Sequence, residues 1–200
     1  SFLFAPFLAI AIFFIWQRKN AISLILVGIF LLLCGSYFLY LLSSNELIPA
    51  IFIRRMFFIP AKLHIIYYDF FSQPNNPLYM LSDSIFRYFM NNPYGQHMPE
   101  VIAQHFWGRI FWPDVGFLGD AYGNFGFAGM LVFSAIVGVI LRIVDNFMDY
   151  LPAHFIASIM VMPFYALTES ALLTTLFTHG LIVAVLVVWY FCSKKTIHNI

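Results

Sequence analysis

Two arginines, Arg54 and Arg55, stand side by side in an otherwise apolar run that continues to Pro60-Ala61-Lys62. Guanidinium groups are permanently charged and make bidentate contacts to phosphate oxygens. The pair is therefore a candidate phosphate clamp, with Lys62 as a third cation. Snorkelling of the same side chains toward lipid headgroups is the plainer alternative. Downstream, His105 and Arg109 flank Phe106-Trp107-Gly108, with Trp112 just beyond. His105 can serve as a base or position a hydroxyl, or it can be a packed structural histidine, since it shares a helical side with Val101 and Ile102. Trp107, Trp112 and Tyr94 offer flat faces suited to sugar rings. The stretch Gly116-Phe-Leu-Gly-Asp-Ala-Tyr-Gly-Asn-Phe-Gly-Phe-Ala-Gly129 then places Asp120, Tyr122 and Asn124 at the mouth of a strongly apolar segment. A carboxylate there can hold or deprotonate a hydroxyl; it would also suit the positive end of a helix dipole. Glu169 interrupts another apolar run, where it either marks a turn or, as an acid in a membrane segment, points to function. His97 and His105 do not match a metal-ligand spacing, and no acidic or cysteine cluster supports a metal, so neither metal nor cofactor is expected.

The elements that must position these groups follow from composition. Hydrophobic residues make up 62% of the chain and charged residues 10%, against roughly a quarter charged in a soluble domain. The apolar residues run in long blocks, which predicts an all-α polytopic membrane protein. The net charge of +1 gives no reason to expect nucleic acid. Cys34 and Cys192 lie inside apolar blocks and read as small buried hydrophobes. About five spans are expected, over residues 2–16, 21–42, 125–143, 153–167 and 171–191 of a single membrane domain, at roughly 20 residues per crossing. The basic turn at Arg18-Lys19, Arg142 and the Lys194-Lys195 pair all fall on one side if that side is the cytoplasm. Residues 43–124 then form a large external loop, and Glu169 is external too. The first apolar run precedes its basic residues, the wrong order for a signal peptide. With Ser1 at the start, this predicts the downstream part of a longer polytopic protein.

The loop is rich in Phe, Tyr, Ile and Trp, unlike disordered chain. One helix is predicted over residues 61–71 after Pro60. Another is predicted between Asn75-Asn76-Pro77 and Asn91-Asn92-Pro93, with Leu78, Leu81, Ile85 and Phe89 as its apolar stripe and Asp83–Arg87 as a solvated pair four residues apart. A third is bracketed by Pro99 and Gly108. Such amphipathic helices lie on the membrane surface or fold back over the spans as a lid. The glycines from Gly116 to Gly126 form a stripe that admits a closely packed helix in lipid.

The Gly116–Gly129 stretch, entering a span after a large external loop with paired arginines, resembles the bacterial oligosaccharide repeat-unit polymerases, the Wzy-type O-antigen or capsule polymerases. The resemblance covers the loop and the spans around it, and it suggests the C-terminal part of such a protein. It implies a multi-pass protein of the bacterial inner membrane and a metal-independent, inverting glycosyl transfer on the external face. The substrate it implies is an oligosaccharide on undecaprenyl diphosphate, with membrane lipids and a chain-length regulator protein as partners. Arg54 and Arg55, helped by Arg109, would hold the diphosphate, and His105 or Asp120 would receive the proton. Three other functions stay open: an O-antigen ligase using the same donor, a transporter or flippase for lipid-linked glycans, and a structural membrane subunit. Transporters place polar groups near the bilayer midplane, whereas these spans are almost free of charge.

Overall fold

The computed structural model of the protein describes residues 20–43, 54–55 and 58–198, and all the regular structure within them is helical. The first helix, α1 (Ala21–Ser43), is apolar all round and exposed along most of its length. Next come α2 (Ile59–Phe71) and α3 (Met98–Trp107), separated by non-helical chain. The long helix α4 (Phe117–Asn146) leads through a short 3-10 turn, Phe147–Asp149, to α5 (Ala153–Glu169), α6 (Leu172–Phe177) and α7 (Leu181–His198). Among the described residues, two helical segments are long and apolar enough to cross a membrane, Ser23–Leu42 and Phe117–Asp149. The apolar stretches Ala153–Glu169 and Leu181–Lys194 are shorter. The expected span 171–191 is not continuous: it divides at Thr178-His179-Gly180, where Gly180 takes φ 79°. The expected span 2–16 and its basic turn lie outside the described residues.

Two apolar cores stack along α4. Its inner part packs with α5, α6 and α7 around Phe133, Ile156, Met160, Leu172, Leu181 and Val188. Its outer end packs with the loop helices around Leu63, Tyr67, Phe70, Tyr79, Met98 and Ile102. Amphipathicity explains the second core. In α2, Leu63, Ile66, Tyr67, Phe70 and Phe71 are buried, while Lys62, Ile65 and Asp69 are exposed. Helix α3 has Pro99 in its first turn and Gly108 at φ 65° just past its end, the N-terminal proline and C-terminal glycine that the sequence marks.

Between the cores α4 is broken. Gly126 has φ 62° and ψ −149°, a conformation open essentially to glycine alone. The glycine stripe therefore does not serve as the smooth helix–helix seam expected of it. Gly116 sits against the end of α5, where an added Cβ would lie 2.6 Å from the Thr168 carbonyl oxygen. Gly123 sits under the loop helices, where a Cβ would meet Met98 Sδ at 2.7 Å and Phe71 at 3.0 Å. Of the two cysteines, Cys192 is buried, but Cys34 is exposed on α1.

Candidate functional site

The helix predicted over residues 78–89 is replaced by successive turns. Met80 and Leu81 have φ of 49° and 65°, which no right-handed helix accommodates. Short polar side chains compete for the backbone as well: Ser84 Oγ donates to the Leu81 carbonyl at 2.6 Å and accepts from Phe86 N at 3.2 Å. The turn chain docks on the break in α4. Tyr79 N donates to the Gly123 carbonyl (3.0 Å) and Met80 N to the Asn124 carbonyl (3.1 Å). These are the carbonyls just before Gly126, where the helical ladder is interrupted.

Asn124 is the centre of this junction. It is 3% exposed, so its polar atoms need partners within the protein. Its Oδ1 accepts from Leu81 N at 2.7 Å. Its Nδ2 donates to the Asp120 carbonyl (2.9 Å) and to Asp120 Oδ1 (3.1 Å), one turn earlier on the same helix. Asp120 Oδ2 accepts no hydrogen bond among the described residues.

A second carboxylate closes the other end. Asp83 Oδ2 accepts from Met98 N (2.6 Å) at the start of α3, and Asp83 Oδ1 lies 2.5 Å from His97 Nδ1. Asp83 thus satisfies a free N–H of a helix terminus while pairing with histidine. The Asp83–Arg87 pair expected from the sequence does not form. Arg87 instead donates to Tyr88 OH (2.9 Å), its guanidinium 4.9 Å from that ring.

Between these anchors lies a cavity of about 90 Å³. The turn chain contributes Leu81, Asp83, Ser84 and Ile85, α4 contributes Asp120 and Asn124, and the segment from Ala171 to Thr178 supplies the opposite wall. The lining carries two carboxylates, an amide and the hydroxyls of Ser84, Thr174 and Thr178, but no cation. Such a set accepts hydrogen bonds from hydroxyl groups and disfavours a phosphate. Both Asp83 oxygens are already committed, so Asp120 is the carboxylate with a free lone-pair face.

Other candidates are placed elsewhere. His105 is exposed, edge-on to Phe70 (5.1 Å between ring centroids) and Phe106 (4.8 Å), and does not line the cavity. Arg54, Arg55, Lys62 and Arg109 are exposed and outside the lining. Trp107 packs on Phe106 and Phe111, and Trp112 lies 4.9 Å from the His97 ring. Tyr94 stacks on Tyr79 at 5.0 Å, which occupies the face proposed for a sugar. Tyr122 is buried against Tyr68 and Phe127. Glu169 accepts from Tyr165 OH at 2.9 Å. Of the residues given a catalytic or binding role from the sequence, Asp120 and Asn124 line the cavity; Leu81, Asp83 and Ile85, expected there only as parts of an amphipathic helix, line it too. Asp83 appeared in the sequence only as half of a surface pair; its contact with His97 is long-range and leaves no local mark.

Burial shapes the ionisation of the surrounding loop. The Tyr67 hydroxyl, buried and donating to the Pro113 carbonyl at 3.1 Å, is pushed well above the usual phenol range by desolvation and then by the negative charge of Asp114. Tyr79 is raised by burial and by Asp83. Burial raises the Asp114 carboxyl, an effect opposed by His179. No group of three or more His, Cys, Asp or Glu able to hold a metal occurs among the described residues. No protein-family model, curated protein or solved structure matches the chain.

Proposed function

We propose that this chain is part of a multi-pass glycosyltransferase of the bacterial inner membrane that polymerises undecaprenyl-diphosphate-linked oligosaccharide units on the external face. One observation carries the reading: a carboxylate with an uncommitted oxygen, oriented by a buried amide, in a hydroxyl-lined cavity at the outer end of an apolar helix. The cavity takes the acceptor hydroxyl. Asp120 Oδ2 receives its proton as the oxygen attacks the donor's anomeric carbon. The bond from that carbon to the diphosphate oxygen breaks, and the lipid diphosphate leaves with the electron pair. The negative leaving group needs fixed cations. With no cation in the lining, that role falls to the exposed Arg54 and Arg55, and not to the cavity. The exposed position of His105 makes Asp120 the better base.

The test is glycan chain length in cells, with protein level checked for each variant. Asp120→Asn keeps shape and removes the base, so polymerisation should fall by roughly 10²–10⁴, while His105→Ala stays near the parent. Arg54→Ala with Arg55→Ala should shorten chains through weakened donor binding. Parental chain length in Asp120→Asn would refute the assignment.

A further inference from the structure

The cavity, at about 90 Å³, is several-fold below the roughly 300 Å³ at which ligand pockets begin. It holds a few waters at most, so a wall must move before any sugar enters. The walls differ in how firmly they are held. Those from α4 and α6 are tied into the bundle core, where Leu172 is 1% and Thr175 0% exposed. The turn chain has no helical ladder, carries two non-glycine residues at positive φ, and runs outward into Tyr88 and Phe89 at 79% and 85% exposure. Its start is fixed: Tyr79 is buried in the loop-helix core and donates from its hydroxyl to the Gln96 carbonyl, and residues 79–81 bond to the α4 break. Beyond the buried Ser82, its polar fastening is Asp83 on His97 and Met98. Leu81 packs onto the bundle core as a plug.

We infer that residues 82–85 form a strap that lifts to admit a hydroxyl-bearing ligand, with the Asp83–His97–Met98 contact as its latch and the bonds of Tyr79, Met80 and Leu81 to the α4 break, Asn124 included, as its hinge-side anchor. Breaking the latch frees Asp83, Ser84 and Ile85 together, because all three lie on the same short segment. At the anchored end, Leu81 N holds the Asn124 carboxamide so that its Nδ2 faces Asp120, and this contact stays in place as the strap lifts. The identity of the ligand rests on the glycosyl-transfer reading above; the movement does not.

Accessibility tests the movement without reference to catalysis. In the full chain in native membranes, with Cys34→Ser and Cys192→Ala, a reporter Ala171→Cys places a thiol on the opposite wall. Its modification rate by a small charged methanethiosulfonate should be slow in the parent. It should rise about tenfold or more in His97→Ala, as expected when a charge-assisted contact holding a closed state is removed. Asp83→Asn provides a second opening of the latch if His97→Ala does not accumulate, and Tyr88→Ala, far along the turns, should leave the rate unchanged. Equal rates in the parent and both latch variants would overturn the strap, as would a fully reactive thiol in the parent. In a second arm, Ile85→Cys and Phe177→Cys are bridged across the cavity by a cleavable bifunctional thiol reagent. Polymer formation should drop at least tenfold and return on cleavage. A thiol that responds to the latch while bridging leaves polymer formation intact supports the strap and removes the cavity from the glycosyl-transfer reading. A thiol that ignores the latch while Asp120→Asn abolishes polymer formation does the reverse.

Discussion

Asn124 and Asp83 show how single polar side chains organise the outer half of this protein. Each lies where backbone groups would otherwise be stranded. Asn124 accepts from Leu81 N and steadies Asp120, and Asp83 accepts from the first turn of α3. An asparagine entering an apolar segment is visible in the sequence as an oddity, but its partner Leu81 is 43 residues away. Asn124→Leu removes the buried acceptor and leaves Leu81 N without one. We expect a destabilisation of about 1–3 kcal/mol, measured as a lower midpoint of thermal unfolding in detergent. Asn124→Asp keeps the acceptor for Leu81 N but sets a second carboxylate against Asp120, so it should also unfold earlier, and more so at high pH than at low. An unchanged midpoint in both variants would show that the amide is not a structural anchor.

At the scale of elements, the break in α4 decides where the loop docks. A continuous helix would have satisfied its own carbonyls and left nothing for residues 79 and 80 to bind. Gly126 makes the break possible because its φ and ψ lie where a Cβ is strongly disfavoured. Gly126→Ala should cost about 1–3 kcal/mol. Gly138 offers the contrast: it sits in the same helix in ordinary helical conformation, and a Cβ there meets nothing within 4 Å. Gly138→Ala should be neutral or stabilising by up to about 1 kcal/mol through helix propensity. Matched unfolding curves of the two variants measure the difference, and equal destabilisation would contradict the local role of Gly126. The lost helix at 78–89 belongs to the same scale. Its apolar periodicity is real, but the tertiary bonds of residues 79–81 hold Met80 and Leu81 outside helical space.

For the whole molecule, the apolar blocks and three basic flanks of the sequence predict that the loop helices, and with them the cavity, lie on one side of a membrane. The start of α4 at Gly116 lies against the end of α5 at Thr168, so these two helices run in opposite directions. Gln96 is exposed in the loop. A Gln96→Cys variant in a cysteine-free background should be labelled by a membrane-impermeant maleimide from the external side of intact cells. Labelling confined to permeabilised cells would invert the orientation and move the proposed active face with it.

Local chemistry was enough to determine the helical class, the apolar segments at α1 and α4, and the two loop helices framed by Pro60 and by Pro99 with Gly108. Those features depend on composition, periodicity and caps, all of which act over a few neighbouring residues. Asp120 and Asn124 stood out for the same reason, as polar groups where an apolar segment begins. The tertiary structure alone decided that α4 breaks at Gly126, that residues 78–89 coil instead of forming a helix, that Asp83 turns to His97 instead of Arg87, and that the arginines stay outside the cavity. Each of these outcomes depends on hydrogen bonds or packing between residues far apart in the chain. The energy of such contacts is comparable to that of a helical turn, so the fold, not the local pattern, has the final say.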